Sequence, residues 1–398
     1  MSDWTIARLE DCTEIVSGAT PSTSDSAYWD GDICWATPKD LSELEGAYIS
    51  DTRRKITRSG LQSCAATVLP PDSVLFSSRA PIGYVAINTV SMATNQGFKS
   101  FVPKRELVNS KFLYHWLRCN RTYLESLGNG ATFKEISKAV VARIEIPLPP
   151  LPEQQRIAAI LDMADELRAK RRAAIANLDI LSQSIFLDMF GERASRHWRT
   201  TSVASVAKVA DGSIRTGPFG SQLLHSEFTD SGVAVLGIDN VVQNDFRWGQ
   251  RRYISEEKYD ELRRYTVHPG DVLISIMGTC GRCAIVPDDI PTAINTKHLC
   301  CITLDRNKCL PEFLHAYFLR HPVARRYLNS KAKGAIMAGL NMGIIKNLPI
   351  PSVPLELQQR FVNQAAELKR IGAAQKRHEA GLTETFTSIQ NRAFRGGL

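Results

Sequence analysis

Cys280-Gly-Arg-Cys283 has the spacing at which two thiolates hold zinc or cycle through a disulfide. Thr216-Gly-Pro-Phe-Gly-Ser is a glycine-rich loop. Its backbone amides could approach a phosphate closely, or the loop orders its domain as a tight turn. It lacks the Gly-Lys-Ser/Thr ending of a nucleotide-binding loop, which argues against ATP. No Asn-Pro-Pro or Asp-Pro-Pro step occurs, so the catalytic motif of a self-contained DNA methyltransferase is missing. No Asp…Glu-x-Lys constellation of a nuclease stands out. What remains is basic: Arg53-Arg-Lys and Arg251-Arg place like charges side by side, and these need an anionic partner or free solvent.

The elements that position these residues occur twice. Pro71-Asp-Ser-Val-Leu-Phe-Ser reappears as Pro269-Gly-Asp-Val-Leu-Ile-Ser, 198 positions later. Asn95 meets Asn295 at 200, Phe112-Leu-Tyr-His meets Phe313-Leu-His-Ala at 201, and the proline cluster from Ile146 meets the one from Leu348 at 202. Gln155-Arg follows as Gln359-Arg at 204. A drift in one direction is what loop-length differences between two copies produce. In the first copy, Cys280 and Cys283 are replaced by Ile82 and Val85. Cysteines that exchange with such residues are core positions, so no metal is expected.

Each copy has two unlike parts. Residues 1–150 and 193–352 mix short apolar runs, such as Asp271-Val-Leu-Ile-Ser and Leu299-Cys-Cys-Ile, with frequent Gly, Pro, Asn and Asp. Short helices at Ser110–Cys119 and Pro311–Leu319 are interleaved, giving an α+β domain. Residues 151–192 and 353–398 read as one long helix each. From Glu153 to Phe190 there is no Pro or Gly. Steps of three and four give Ile157, Ile160, Ala164, Leu167, Arg171, Ala174, Leu178, Leu181, Ile185 and Asp188, eight of them apolar. The second helix gives Phe361, Ala365, Leu368, Gly372, Gln375, Glu379, Leu382, Phe386, Ile389 and Ala393, broken in the middle. These are coiled-coil seams. They either pack on each other as an antiparallel pair or belong to independent surface helices.

The 398 residues suffice for two or three full cores. The nine cysteines are scattered, and MSDWTIARLED is not a signal peptide. No run approaches about 18 apolar residues, so no membrane span is expected and the chain reads as cytoplasmic. The net charge of +8 is uneven: residues 1–152 are neutral, 193–354 carry +7 and 355–398 carry +3. Such a surface suits nucleic acid, an acidic partner or solubility alone. A straight 38-residue helix would be about 57 Å long, an upper bound of about 17 base pairs between two reading heads.

The motifs carry a resemblance. Gly18-Ala-Thr-Pro-Ser and Tyr28-Trp-Asp-Gly-Asp-Ile-Cys-Trp-Ala-Thr-Pro-Lys-Asp-Leu open the first copy. Ser77-Ser-Arg-Ala-Pro-Ile-Gly, Asn95-Gln-Gly-Phe and Gly130-Ala-Thr-Phe-Lys-Glu-Ile-Ser follow. Ile146-Pro-Leu-Pro-Pro-Leu-Pro-Glu-Gln-Gln-Arg-Ile then leads straight into the long helix. Thr216-Gly-Pro-Phe-Gly-Ser-Gln-Leu and Pro269-Gly-Asp-Val-Leu mark the second copy, whose proline motif departs by two residues at Leu355 to Leu357. Over essentially its entire length the sequence resembles the specificity subunits of type I restriction–modification enzymes.

The resemblance implies two target recognition domains separated by two long helices in an antiparallel coiled coil, with an internal pseudo-two-fold repeat. It implies a non-catalytic subunit that reads a bipartite double-stranded DNA target. The implied partners are two methyltransferase subunits, which carry S-adenosylmethionine and methylate adenine, and restriction subunits driven by ATP with Mg; this chain holds no cofactor or metal. A bare scaffold that bridges proteins is the alternative. Leu161, Ile175, Phe186 and Met189, off the seam, are candidates for methyltransferase docking or for contacts to the adjacent domains. Candidate DNA contacts are basic or amide residues in turn-rich stretches. In the first domain they are Lys39, Arg53, Arg54, Lys55, Arg58, Arg79, Lys99 and Lys134. In the second they are Arg215, Gln222, Arg247, Arg251, Arg252, Arg263, Arg264, Lys297, Lys331 and Lys333.

Overall fold

The apolar run Val272–Ser275 is a strand buried at every residue, and Val74–Phe76, its counterpart in the first copy, is buried likewise. The computed structural model describes residues 4–79, 81–130, 134–332 and 339–397. The chain divides into two compact units, Met1–Arg172 with Arg377–Leu398, and Ala173–Lys376. Each unit therefore takes one globular part and half of each long helix.

In the first unit a five-stranded sheet runs in the order Thr13–Ser17, Lys99–Pro103, Val74–Phe76, Val85–Asn88, Tyr48–Ile49. A three-stranded sheet runs Lys55–Ile56, Trp29–Ala36, Met92–Thr94, its last pair parallel. The second unit repeats both. Its four-stranded sheet runs Ile214–Thr216, Leu299–Ile302, Val272–Ser275, Cys283–Ile285. Its three-stranded sheet runs Tyr253–Ile254, Val233–Leu236, Ala293–Asn295, again with the last pair parallel. Leu75 lies opposite Ala86 as Leu273 lies opposite Ala284, so the repeat holds at the level of single registers.

Register also corrects the alignment. The Asn95 and Thr296 amides each bond the strand carbonyl at equivalent places, Ala36 and Leu236, so the partner of Asn95 is Thr296 rather than Asn295. Ile146 lies opposite Ala7, and Ile350 lies opposite Thr201. The proline motifs therefore match at 204, not 202, with Pro150 on Pro354. The long helices begin at equivalent residues, Leu151 and Leu355. The apparent two-residue departure disappears: Leu355 to Leu357 occupy the places of Leu151, Pro152 and Glu153.

One buried glutamine ties each helix to its globular part. Gln154 accepts the Asn109 N–H at 2.8 Å and donates to the Leu107 and Pro149 carbonyls, each at 2.8 Å. Gln358 accepts the Leu310 N–H at 2.9 Å and donates to the Lys308 and Val353 carbonyls at 3.0 and 2.8 Å. A primary amide has enough donors and acceptors to pair all three buried backbone groups.

The helices Leu151–Phe190 and Leu355–Ala393 pair antiparallel within each unit. In the first unit Leu161 and Ala164 share a core with Phe386, Ile389 and Ala393, and the Arg168 guanidinium lies 4.5 Å from the Phe386 ring centroid. In the second, Phe186 and Phe190 meet Phe361 at 5.3 and 5.7 Å, and Leu178 reaches Gly372. The seam expected on the second helix is buried or half-buried at each of its ten positions.

On the first helix the seam alternates four and three, not three and four. It runs Ile157, Leu161, Ala164, Arg168, Arg171, Ile175, Leu178, Ser182, Ile185, Met189. Ile157, Ala164, Leu178 and Ile185 keep their expected places, and Ile160 is half-buried beside them. Leu167 and Leu181 do not, being 56% and 46% exposed. Seven of ten positions on the true stripe are apolar against eight on the expected one, so composition alone preferred the wrong phase. By length and composition one helical stretch, Leu151–Ala194, is apolar enough to cross a membrane, with a mean hydropathy of 1.2 over its most apolar window. Part of that apolar content is the seam itself.

Candidate nucleic-acid interface

Half of the eight cations singled out in the first unit are held by acids. Arg53 pairs with Glu43, and Lys55 with Asp51 at 3.1 Å. Arg79 and Lys99 both reach Glu135, at 3.6 and 3.5 Å, which brings two distant candidates together beside Lys134. Lys99 is a correction: its side chain is only 10% exposed and serves the inner strand Lys99–Pro103 as a buried ion-pair partner. Arg54 differs from its neighbours. It has no carboxylate partner among the described residues and lies flat on Trp29, its guanidinium carbon 3.6 Å from the ring centroid. Trp29 is fixed in turn by donating its ring N–H to the Ser22 carbonyl at 3.0 Å. Stacking orients the guanidinium fork and leaves its edge available. Lys39 and Arg58 are exposed.

In the second unit Arg252 is the structural counterpart of Arg54, because their carbonyls accept from the equivalent Val235 and Trp35 amides. Arg252 pairs with Asp239 at 2.5 Å. His298 lies nearby, and burial followed by the Lys297 and Arg252 charges holds its pKa below the usual histidine value. Burial is the larger cause, and the two neighbouring cations add to it. Arg251 sits over the Trp248 ring at 4.9 Å, and Arg247 is exposed. Lys331 lies 6.0 Å from the Tyr327 ring centroid. Lys333 falls outside the described residues.

Arg215 is the second correction. It is 10% exposed and pairs with Asp271 at 2.8 Å, while also donating to the Gly212 carbonyl and the Thr303 hydroxyl. A side chain so committed cannot reach a base edge. Gln222 accepts from the Phe219 N–H and the Tyr265 hydroxyl, both at 3.0 Å, and Tyr265 also meets Arg264. The glycine loop is shaped by packing: a Cβ on Gly217 would lie 1.9 Å from the Asn295 carbonyl oxygen, as one on Gly18 would lie 2.0 Å from that of Asn95. The Phe219 amide is already bonded to Gln222, so it is not on offer to a phosphate.

The docking candidates are corrected as well. Leu161 and Phe186 are fully buried in the two unit cores, and Ile175 and Met189 are half-buried on the seam. The exposed apolar residues of the first helix are instead Met163, Leu167, Ile180 and Leu181. Cys283 is fully buried, and burial pushes its thiol pKa well up; that of Cys300 rises to about 12. Such thiols stay protonated and behave as small apolar groups. Residue type and spacing carried no sign of Gln154, Gln358 or His298 as positioning or electrostatic residues; only the repeated Gln-Gln-Arg step could have pointed to the glutamines.

The family model described as the type I restriction modification DNA specificity domain matches residues 1–177 and 219–373. The type I restriction enzyme MjaIX specificity subunit of Methanocaldococcus jannaschii is 38% identical over 190 residues, 47% of this chain and 44% of that relative. The MjaVIII specificity subunit of the same organism is 19% identical over 100% of this chain and 93% of its own length. A solved chain from the complex assembly of a type I R-M system covers 99% of this chain and 98% of itself, with a TM-score of 0.64 at 20% identity. The type I S subunit from M. genitalium covers 98% and 96%, with a TM-score of 0.54 at 15% identity. With the family match spanning both copies, the chain belongs to the type I restriction–modification DNA specificity family.

Proposed function

We propose that this chain reads a bipartite double-stranded DNA target, one half-site per globular part, and performs no chemistry itself. One observation carries this reading. The two parts share the order and register of their common strands, yet differ in the exposed cations they carry and in what those cations lie against. Arg54 lies on Trp29 in one, whereas Arg251 lies on Trp248 and Arg252 on Asp239 in the other. A common frame with unlike reading surfaces suits two different half-sites.

Methylation and cleavage then belong to partners. Met163, Leu167, Ile180 and Leu181 offer an exposed apolar face on the first helix for methyltransferase subunits. Those subunits bring S-adenosylmethionine, and restriction subunits bring ATP and Mg. The setting is the bacterial or archaeal cytoplasm in which genomic DNA is methylated.

The test is modified-base sequencing of DNA from a host expressing this chain with its cognate methyltransferase, beside a host lacking the chain. Methyladenine in an interrupted two-part motif that vanishes without the chain is the expected result. No such motif, with an assembled and active partner, would leave a scaffold as the better reading.

A further inference from the structure

Apart from Tyr48–Ile49, which has no counterpart in the second unit's four-stranded sheet, the strands of the two units match register for register except at one. In the first, Thr13–Ser17 runs unbroken along Lys99–Pro103. In the second, Ala207 and Lys208 hold the places of Thr13 and Glu14, and Ile214–Thr216 holds those of Ile15, Val16 and Ser17. Between them Val209–Ser213 is inserted, turning back through Gly212 at a φ of +76°. This insertion lines an open cavity of about 270 Å³ whose other side is formed by the 263–268 turn.

The lining is strongly basic. Lys208, Arg215, Arg263, Arg264 and His268 contribute, against the single carboxylate of Asp211. Arg263 is paired with Asp260, but Lys208 and Arg264 have no carboxylate partner among the described residues. The cavity rests on the buried Arg215–Asp271 pair, which ties the strand edge to the Gly212 loop and to Thr303. The fold does not need that pair, because the same two positions in the first unit are Val16 and Ser73. A buried ion pair is weak evidence for stability, and one that the sister copy omits points to a specialised use.

We infer that this cavity holds a phosphate group, and that in the working molecule this is a backbone phosphate of DNA. The inference rests on the DNA-reading function proposed above. Lys208 and Arg264 supply the charge, and Thr303, whose hydroxyl oxygen accepts from Arg215 and so keeps its own proton free, sits beside them as a neutral donor. Arg215 acts as a positioning residue, since its terminal nitrogens are occupied within the protein.

The test compares the full chain, purified with its methyltransferase, with its Lys208→Gln/Arg264→Gln variant. A Lys138→Gln/Arg143→Gln variant removes the same charge from exposed positions in the first unit. Binding of a mixed-sequence duplex of about 40 base pairs is measured against salt. The expected result is a slope of log affinity on log salt reduced by about one, with a loss near tenfold at low salt, in the cavity variant alone. Equal effects in both variants, or none in the cavity variant, would overturn the inference. In a second arm, inorganic phosphate at constant ionic strength is tested for raising the unfolding temperature of the wild-type full chain but not of the cavity variant. Protection by phosphate with an unchanged DNA slope would assign the cavity to a small free anion and overturn the DNA assignment. If the wild-type complex bound no duplex at all, the DNA-reading function itself would fail. The phosphate arm would then decide the cavity alone, absence of protection overturning it.

Discussion

Gln154 and Gln358 make the same three hydrogen bonds in sister positions, and each is fully enclosed. Gln154→Leu keeps the volume but strands one amide and two carbonyls, at about 1–3 kcal/mol for each group left unpaired. Urea unfolding should show a large fall in the first unit's midpoint, and Gln358→Leu should do the same to the second. The second unit also carries two histidines that must stay neutral. His321 donates its Nε2–H to the Phe190 carbonyl at 3.0 Å while Nδ1 accepts from the Val323 amide at 3.2 Å. Burial holds the pKa of both His321 and His315 below the usual value. The unfolded chain therefore takes up protons below about pH 6.5 that the native state refuses, so stability falls as pH drops from there towards the folded values. In the first unit, burial alone would raise Asp162, but bonds from His115 and Lys111 outweigh it and hold it below the ordinary carboxylate value. Its contribution is intact above the unfolded value near 3.9 and is lost only at lower pH. Denaturant midpoints between pH 7 and 5 should thus decline for the second unit first, and His321→Gln should flatten that decline. An unchanged slope in His321→Gln would remove this histidine from the account.

At the scale of the long helices, one residue of phase separates the seam from an exposed apolar face. Leu178 touches the partner helix at Gly372, whereas Leu181 is 46% exposed. Leu178→Asp buries a charge in the seam and should cost about 2–4 kcal/mol, read as a lowered melting temperature. Leu181→Asp should leave melting unchanged and abolish co-elution with the methyltransferase on gel filtration. A destabilised Leu181→Asp would contradict the four–three phase. The sequence left this phase ambiguous for a physical reason. Arg168 and Ser182 are polar but lie inward, one stacked on Phe386 and the other accepting from Arg320 at 2.7 Å. Their outward neighbours Leu167 and Leu181 are apolar and exposed, as the methyltransferase docking proposed for that face requires. The second helix carries no such competing stripe, and there the pattern was legible residue by residue. Among the DNA candidates, charge and turn context singled out Arg54 and Arg251, which the structure leaves exposed on tryptophan rings. They could not separate these from Lys99 and Arg215, whose acids Glu135 and Asp271 come from distant segments.

For the whole chain, repetition was the readable signal, and its small misalignments came from matching letters rather than backbone registers. Residues 169–175 and 376–382 each span one heptad of the paired helices. Removing both preserves the seam and shortens the pair by about 10 Å, equivalent to about three base pairs. Modified-base sequencing should then report the same two half-sites with a shorter gap. Altered half-sites would mean that the helices do more than set distance. The division into units has a consequence for biosynthesis. The second unit is one uninterrupted stretch, Ala173–Lys376, whereas the first is closed by Arg377–Leu398. Translation thus supplies everything the second unit needs before it supplies Phe386, Ile389 and Ala393, which complete the core around Leu161 and Ala164. The domain made first is finished last, and until Phe386, Ile389 and Ala393 emerge it presents an open apolar strip to any chaperone at the exit tunnel.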